Sequence, residues 1–374
     1  MALDPARGGA HGKTMAHHIA VIGQSNAILA HGFVHQLAAR AEIELGNVAR
    51  LGASPSVIVP LFGGIDFFRG HDFAIFDTAI VDQNFLWSDA VDLYSIGRWL
   101  EQGIIAAQAA GCVPILLSIP HIAMLPGAGE PIWAPPLQQL YRSVAARNGA
   151  SCFDLYDAAA RRILRDPANR DVLYADPDHL TERFVGEIVD HLLGFMNAYR
   201  DAAPASRAMR KAHIRFDPVS LATAPGARIT HLASTLLADD FAEMREGEEL
   251  VLPVGATPRI AAVLIDRASS EGVLALGGNI TVTKQIGTSP DSAHSFVAQA
   301  VPILTELHDS IGTVSLKAAA PDTPLTEKSW HPREAARSSV RIARLLVERT
   351  PEIIEVQEPI LPQALRKTDW FQLS

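Results

Sequence analysis

The chain has only two cysteines in 374 residues, no excess of positive charge and no long apolar run, and each shortage removes a class of protein. Neither Cys112 nor Cys152 falls in a metal-binding or redox spacing; both sit in apolar settings, "GCVPILLSI" and "SCFDLY", that read as buried strands carrying core thiols. The formal net charge is −9 with the acidic residues scattered, which leaves no electrostatic footprint for DNA or RNA. No stretch approaches the ~20 apolar residues of a transmembrane helix. Residues 1–15 lack the apolar core of a secretory signal and read as a mobile leader, so a soluble, cytoplasmic protein is expected. His31 and His35 stand four apart, a spacing that can bind zinc, but no third ligand accompanies them. They read as a helix-surface pair, and no metal or other cofactor is expected.

What is present is the composition of an ordinary globular protein, 48% hydrophobic and 20% charged, at a length that suits roughly two domains. Over residues 16–202 short apolar runs alternate with helical patterns. "IAVIG" leads into the helical "AILAHGFVHQLAARAEIELG"; "SVIVPLF" reads as a second strand ending at Gly63-Gly64, and "TAIV" as a third strand running into "DQNFLWSD". "LYSIGRWLEQGIIAAQAAG" is a helix stopping at Gly111, "CVPILLSI" a strand, "LQQLYRSVAARNG" a helix, "SCFDLY" a strand, and "TERFVGEIVDHLLGFMNAY" a closing amphipathic helix. Such alternation calls for a parallel sheet covered by helices on both faces, with binding sites beyond the carboxyl ends of the strands. Residues 203–213 read as a linker. From 214 to 374, short strand-like pieces separated by turn residues suggest a β-rich module, with helical character only in "PREAARSSVRIARLLVERT".

Four places in the first half could carry chemistry. Ser25 directly follows the first strand, where a serine serves either as an N-cap or as a nucleophile. Gly63-Gly64 is either a tight turn or a close approach of backbone N–H to a substrate. Asn84, flanked by Asp82 and Trp87, is either a turn residue or a side-chain amide donating to an oxyanion. In "YADPDHLTERF", Asp176 and His179 are three apart, and Pro177 suits the first turn of a helix. Asp176 is then either a cap or the acceptor that fixes the tautomer of a catalytic imidazole. The long loop "PHIAMLPGAGEPIWAPP" follows a strand, so His121 and Trp133 are placed either in loop packing or against a substrate.

The order Ser, Gly, Asn, Asp-x-x-His over residues 17–199, ending in "DPDHLT", resembles the block pattern of the SGNH (GDSL-like) hydrolase superfamily. The resemblance implies a flavodoxin-like three-layer fold and ester hydrolysis or acyl transfer without a metal. It implies Ser25 as nucleophile, His179 as base and Asp176 as its orienter. The oxyanion hole would be formed by the Ser25 N–H, the Gly64 N–H (Gly63 being the other choice) and the Asn84 amide. Three departures stand out: Gly23-Gln24-Ser25 in place of Gly-Asp-Ser, Asp82 where a glycine precedes the asparagine by two, and Phe85 after it. The expected function is a serine esterase that forms an acyl-enzyme and removes acetyl or other acyl groups from a carbohydrate or small ester. The alternatives are an O-acyltransferase for polysaccharide decoration and a non-catalytic carbohydrate-binding protein.

Overall fold

The computed structural model describes residues 16–51, 54–127, 131–234, 237–255, 259–286, 296–307, 312–330 and 335–362, so the expected leader lies outside the described residues. The first half runs β1 (His17–Gly23), α1 (Ser25–Ile28), α2 (Phe33–Ala38), β2 (Ile43–Arg50), α3 (Ile58–Phe62), α4 (Ile65–Phe68), β3 (Phe73–Asp77), α5 (Ala79–Trp87), α6 (Leu93–Ala109), β4 (Val113–Ser118), α7 (Pro136–Arg147), β5 (Ser151–Asp154), α8 (Tyr156–Arg165), α9 (Asn169–Leu173) and α10 (Glu182–Ala202). Its five strands form one parallel sheet in the order β2-β1-β3-β4-β5. Ala20, Ile22, Ala74, Phe76 and Leu116 face one helical layer with α3, α6 and α7. Ile19, Val21, Ile75, Ile115 and Leu117 face the other, with α2, α8 and α10. Burial on both faces is why β3 and β4 are apolar without alternation. The left-handed Gly111, at φ 88°, ends the turn after α6 where a side chain would be strained.

Two strands differ from the sequence expectation. "SVIVPLF" contains α3, and the strand that joins the sheet is β2, which begins in the last four residues of the stretch read as helical and runs on to Arg50. "TAIV" opens α5, and the third strand is the preceding "FAIFD". The physical reason is the same twice: a short helix buried on nearly every side has the continuous apolar run of a buried strand. β2 lies at the sheet edge and is largely solvent-facing, so it lacks that run.

The second half continues with β6 (Ser206–His213), β7 (Phe216–Ser220), β8 (Arg228–Ala233), β9 (Ala238–Arg245), β10 (Glu249–Pro253), β11 (Arg259–Asp266), β12 (Gly272–Gly277), β13 (Thr281–Ile286), β14 (Ala298–Pro302), β15 (Thr313–Ala319), β16 (Ser339–Glu348) and β17 (Glu352–Pro359). It is β-rich, as expected. The segment 203–213 is not a free linker, because β6 pairs antiparallel with β17 along its whole length. The helix expected within "PREAARSSVRIARLLVERT" is β16, a central strand between β11 and β9 that also pairs with β7.

The misreading of β16 has its cause in the layering. Val340, Ile342, Leu345 and Val347 face a core shared with β10, β12, β13 and β15, whereas Ala343 and Leu346 pack into the core of the first half. β11 divides in the same way, with Ile260, Val263 and Ile265 on one side and Ala261, Ala262 and Leu264 on the other. The central strands β11 and β16 of the sheet β14-β11-β16-β9-β8 are therefore covered on both faces, by the four-stranded sheet and by the α/β unit, whereas β8 at its edge is largely exposed. Alanines at 261, 262, 298, 300 and 343 let the two halves approach closely. Cys112 is buried, with its thiol donating to the carbonyls of Phe68 and His71; Cys152 is half-buried.

Because one apolar core joins the halves, they are expected to unfold together. Phe241→Ala, at the shared core, should cost about 3–5 kcal/mol. Denaturant melts followed by tryptophan fluorescence and by far-UV dichroism should shift as one coincident transition; two separated transitions would show that the halves are independent.

Candidate functional site

β1 delivers the chain to the carboxyl end of the sheet. A Cβ on Gly23 would come within 2.6 Å of Ala27 Cβ, so glycine there allows α1 to fold back over the strand end. The N-cap position of α1 belongs to Gln24, whose carbonyl accepts from the N–H groups of Ala27 and Ile28, and no side chain caps the helix. Ser25 is thus the first helical residue, and its hydroxyl is not spent on capping.

The next residue ties this turn to the distant acid–histidine segment. Asn26 is only 3% exposed. Its Nδ2 donates to the Asp178 carbonyl at 3.0 Å and its Oδ1 accepts from the Leu180 N–H at 3.0 Å. The two residues flanking His179 are therefore both bonded to the neighbour of Ser25, which brings the Ser25 turn and the Asp176–His179 segment together.

Asp176 caps no helix, because residues 175–178 form a bend and the N-cap of α10 is Thr181; its carboxylate closes the turn and meets the His179 ring. Its Oδ1 accepts from the N–H groups of Asp178 and His179, each at 2.9 Å, and its carboxylate lies 2.8–2.9 Å from His179 Nδ1. Desolvation works against ionisation, but the hydrogen bonds from the His179 ring and the two backbone N–H groups outweigh it and hold the carboxyl below its usual range. With Nδ1–H given to Asp176, Nε2 is left as the basic nitrogen.

A second acid completes the rim. Asp178 Oδ1 accepts from Asn84 Nδ2 at 2.9 Å and from His121 Nε2 at 3.3 Å, and chiefly the His121 contact, with Asn84 also contributing, holds this carboxyl below its usual range against desolvation. His121 Nδ1 accepts from the Ala123 N–H at 3.0 Å, so the proton of the neutral ring resides on Nε2 and points to Asp178. His121 is 7% exposed and packs at right angles against Trp87, ring centroids 4.7 Å apart. It is a buried support, whereas Trp133 on the same loop is exposed.

Asn84 lies on α5 and not just beyond a strand, yet its side chain reaches the acid–histidine segment through Asp178. One amide hydrogen is committed there and the other is left over. Gly64 is placed differently. It is the N-cap of α4 and lines a surface depression of about 330 Å³ with Arg69, Gln102, His213, Arg215 and Glu352.

Behind Ser25 lie two buried acids. Asp77, the last residue of β3, accepts from the Gln24 N–H; its Oδ2 and both polar atoms of the Gln24 side chain are buried without a hydrogen-bond partner. Burial, with the Asp82 charge adding to it, pushes the Asp77 carboxyl up to about 7. Asp82, the departure at the third block, accepts from the Ser56 N–H at 2.6 Å, from the Ser56 hydroxyl, and from Thr78 and Tyr141 at 3.1 and 2.6 Å. Burial raises it to about 6 despite those donors. Sequence reasoning passed over Asn26, Asp77 and Asp178. Asn26 and Asp178 each adjoin a residue that had been singled out, but nothing in a single sequence marks which neighbour carries a bridging hydrogen bond.

The fold and rim define a flavodoxin-like α/β protein with an appended β-rich half. The chain is similar over both halves to a two-domain esterase, CEX, active on acetylated mannans: 10% identity, TM-score 0.56, and 92% of each chain covered. A second structure of that esterase, co-crystallised with mannopentaose, gives a TM-score of 0.55 at 10% identity over 91% of this chain and 93% of that one. The acetyl xylan esterase AlAXEase is similar to 47% of this chain and 98% of its own, at 17% identity and a TM-score of 0.39. No protein-family model matches the chain, and no curated protein matches it in sequence. Among the described residues no helix is long and apolar enough to cross a membrane.

The buried acid at 77 makes a pH prediction. Its folded carboxyl titrates near 7 against an ordinary value of 3.8, so between those values the folded chain holds a proton that the unfolded chain has released. Stability then falls as pH rises through that window and levels off above it. Asp77→Asn removes this penalty. It should match the parent near pH 4 and exceed it above pH 7 by more than about 1 kcal/mol, as read from denaturant midpoints; a difference independent of pH would place the charge of Asp77 elsewhere.

Proposed function

We propose that the protein is a serine esterase that removes acyl groups from a carbohydrate or other small ester through Ser25, His179 and Asp176. The observation that carries this reading is the Asn26 carboxamide, which bonds both neighbours of His179 while adjoining Ser25. His179 Nε2 takes the Ser25 proton as Oγ attacks the ester carbonyl, and Asp176 holds the ring and stabilises the imidazolium. The Ser25 N–H and the remaining Asn84 amide hydrogen stabilise the oxyanion. The alcohol leaves with the proton from His179, and water, deprotonated by the same nitrogen, frees the acid from the acyl-enzyme. The scheme needs only these two donors; Gly64, the third expected donor, lines a depression with Arg69, Gln102 and His213. The carbohydrate preference draws support from the two-domain likeness to an esterase active on acetylated mannans.

Two measurements test the scheme. A serine-directed phosphonate should label the protein stoichiometrically at Ser25, and Ser25→Ala should abolish both labelling and hydrolysis of acetylated oligosaccharides; unchanged hydrolysis in Ser25→Ala would refute the reading. Asn84→Ala should lower kcat by about 10² to 10³, the scale of one oxyanion donor, and a rate equal to the parent's would remove Asn84 from the oxyanion hole.

A further inference from the structure

We propose that Trp87 is the stacking surface of a subsite that binds a pyranose ring of the substrate beside Ser25 and His179; the placement rests on the esterase reading above and adds where the sugar binds. α5 buries Ala79 to Gln83 and Phe85, yet Trp87 in its last turn is 51% exposed. Asn84 and Trp87 are three apart and so share one side of the helix. That side meets the acid–histidine segment, since Asn84 bonds Asp178, the residue before His179. The contacts run without a break from the base to the indole: Asp178 to His121 at 3.3 Å, and His121 to Trp87 at 4.7 Å between ring centroids.

The helix end that carries the indole is also held in place. Ser88 Oγ bonds back to the Phe85 carbonyl at 3.0 Å, and the chain reverses through Asp89, a non-glycine residue at φ 52°, with the Ala90 N–H returning to the Phe85 carbonyl at 2.9 Å. Asp89 pairs with Lys328 of the β-rich half, and Phe85 stacks on Trp330 at 5.0 Å. Helix rotation is thereby blocked from the opposite side. A rigid aromatic surface loses little freedom on binding.

The chemistry selects a sugar. One face of a pyranose presents C–H groups carrying slight positive charge, which suit the negative face of an indole, while its hydroxyls remain hydrated. A long acyl chain would gain only from an enclosed apolar channel, and a half-exposed indole is not one.

The test separates this subsite from the esterase reading. The Ser25→Ala protein is titrated with mannopentaose or xylopentaose, read by tryptophan fluorescence and calorimetry. Binding is expected, weakened about tenfold when Trp87→Ala is added, on the scale of one aromatic contact, and largely kept with Trp87→Phe. In the active protein, Trp87→Ala should raise KM for an acetylated oligosaccharide about tenfold more than for ethyl acetate. No binding of either pentaose, equal binding with and without the indole, or equal losses on both esters would each overturn the subsite. The titration needs no turnover, so it decides the question even if Ser25 proves not to be the nucleophile.

Discussion

The Asn26 carboxamide donates to the carbonyl of Asp178 and accepts from the N–H of Leu180, crossing 152 and 154 positions of chain to do so. It is buried, so each bond forms in a setting where an unmet partner would carry the full desolvation cost. Both ends of the bridge are short-range fixtures. Ser25 directly precedes Asn26 on one side, and His179 lies between the two bonded residues on the other. The proposed proton-transfer geometry therefore depends on one side chain with no chemistry of its own, and the five parallel strands supply the rim on which it closes.

A second dependence runs through α5. This nine-residue helix turns Asp82 inward to Ser56, Thr78 and Tyr141, Asn84 toward Asp178, and Phe85 toward Trp330 of the β-rich half. The β-rich half thus braces an element of the rim while its own middle sheet is buried against the α/β core. A helix held on three sides can present Asn84 at a fixed position without help from the substrate, which is the condition for a donor to act by preorganisation.

The acids behind the site follow from the same packing. Asp77 and Asp82 are withdrawn from water where β3 passes into α5, and burial raises both carboxyls despite their donors. With its carboxyl raised to about 7, Asp77 carries less negative charge near neutral pH, behind the N–H proposed to meet the oxyanion, than an ordinary aspartate would. The third-block departure at Asp82 is accordingly a buried network member and not a lining of the substrate pocket.

Much of this was legible in the residues. The alternation of apolar runs and helical patterns determined the parallel α/β class, and the spacing of Asp176 and His179 determined their contact, because three positions within one turn leave little freedom. The β-rich character of the second half was equally local, being written in strand pieces and turn residues. The identity of several elements was not. α3 and α5 are helices enclosed on nearly every side, and β16 is a strand covered on both faces, so their periodicity is erased by burial that other parts of the chain impose. The segment around 206–213 became a strand only because β17, far along the chain, pairs with it. Which asparagine bridges the rim, which histidine is support, and where Gly64 lies were decided by tertiary structure alone, since a hydrogen bond across 150-odd residues leaves no mark on the local pattern at either end.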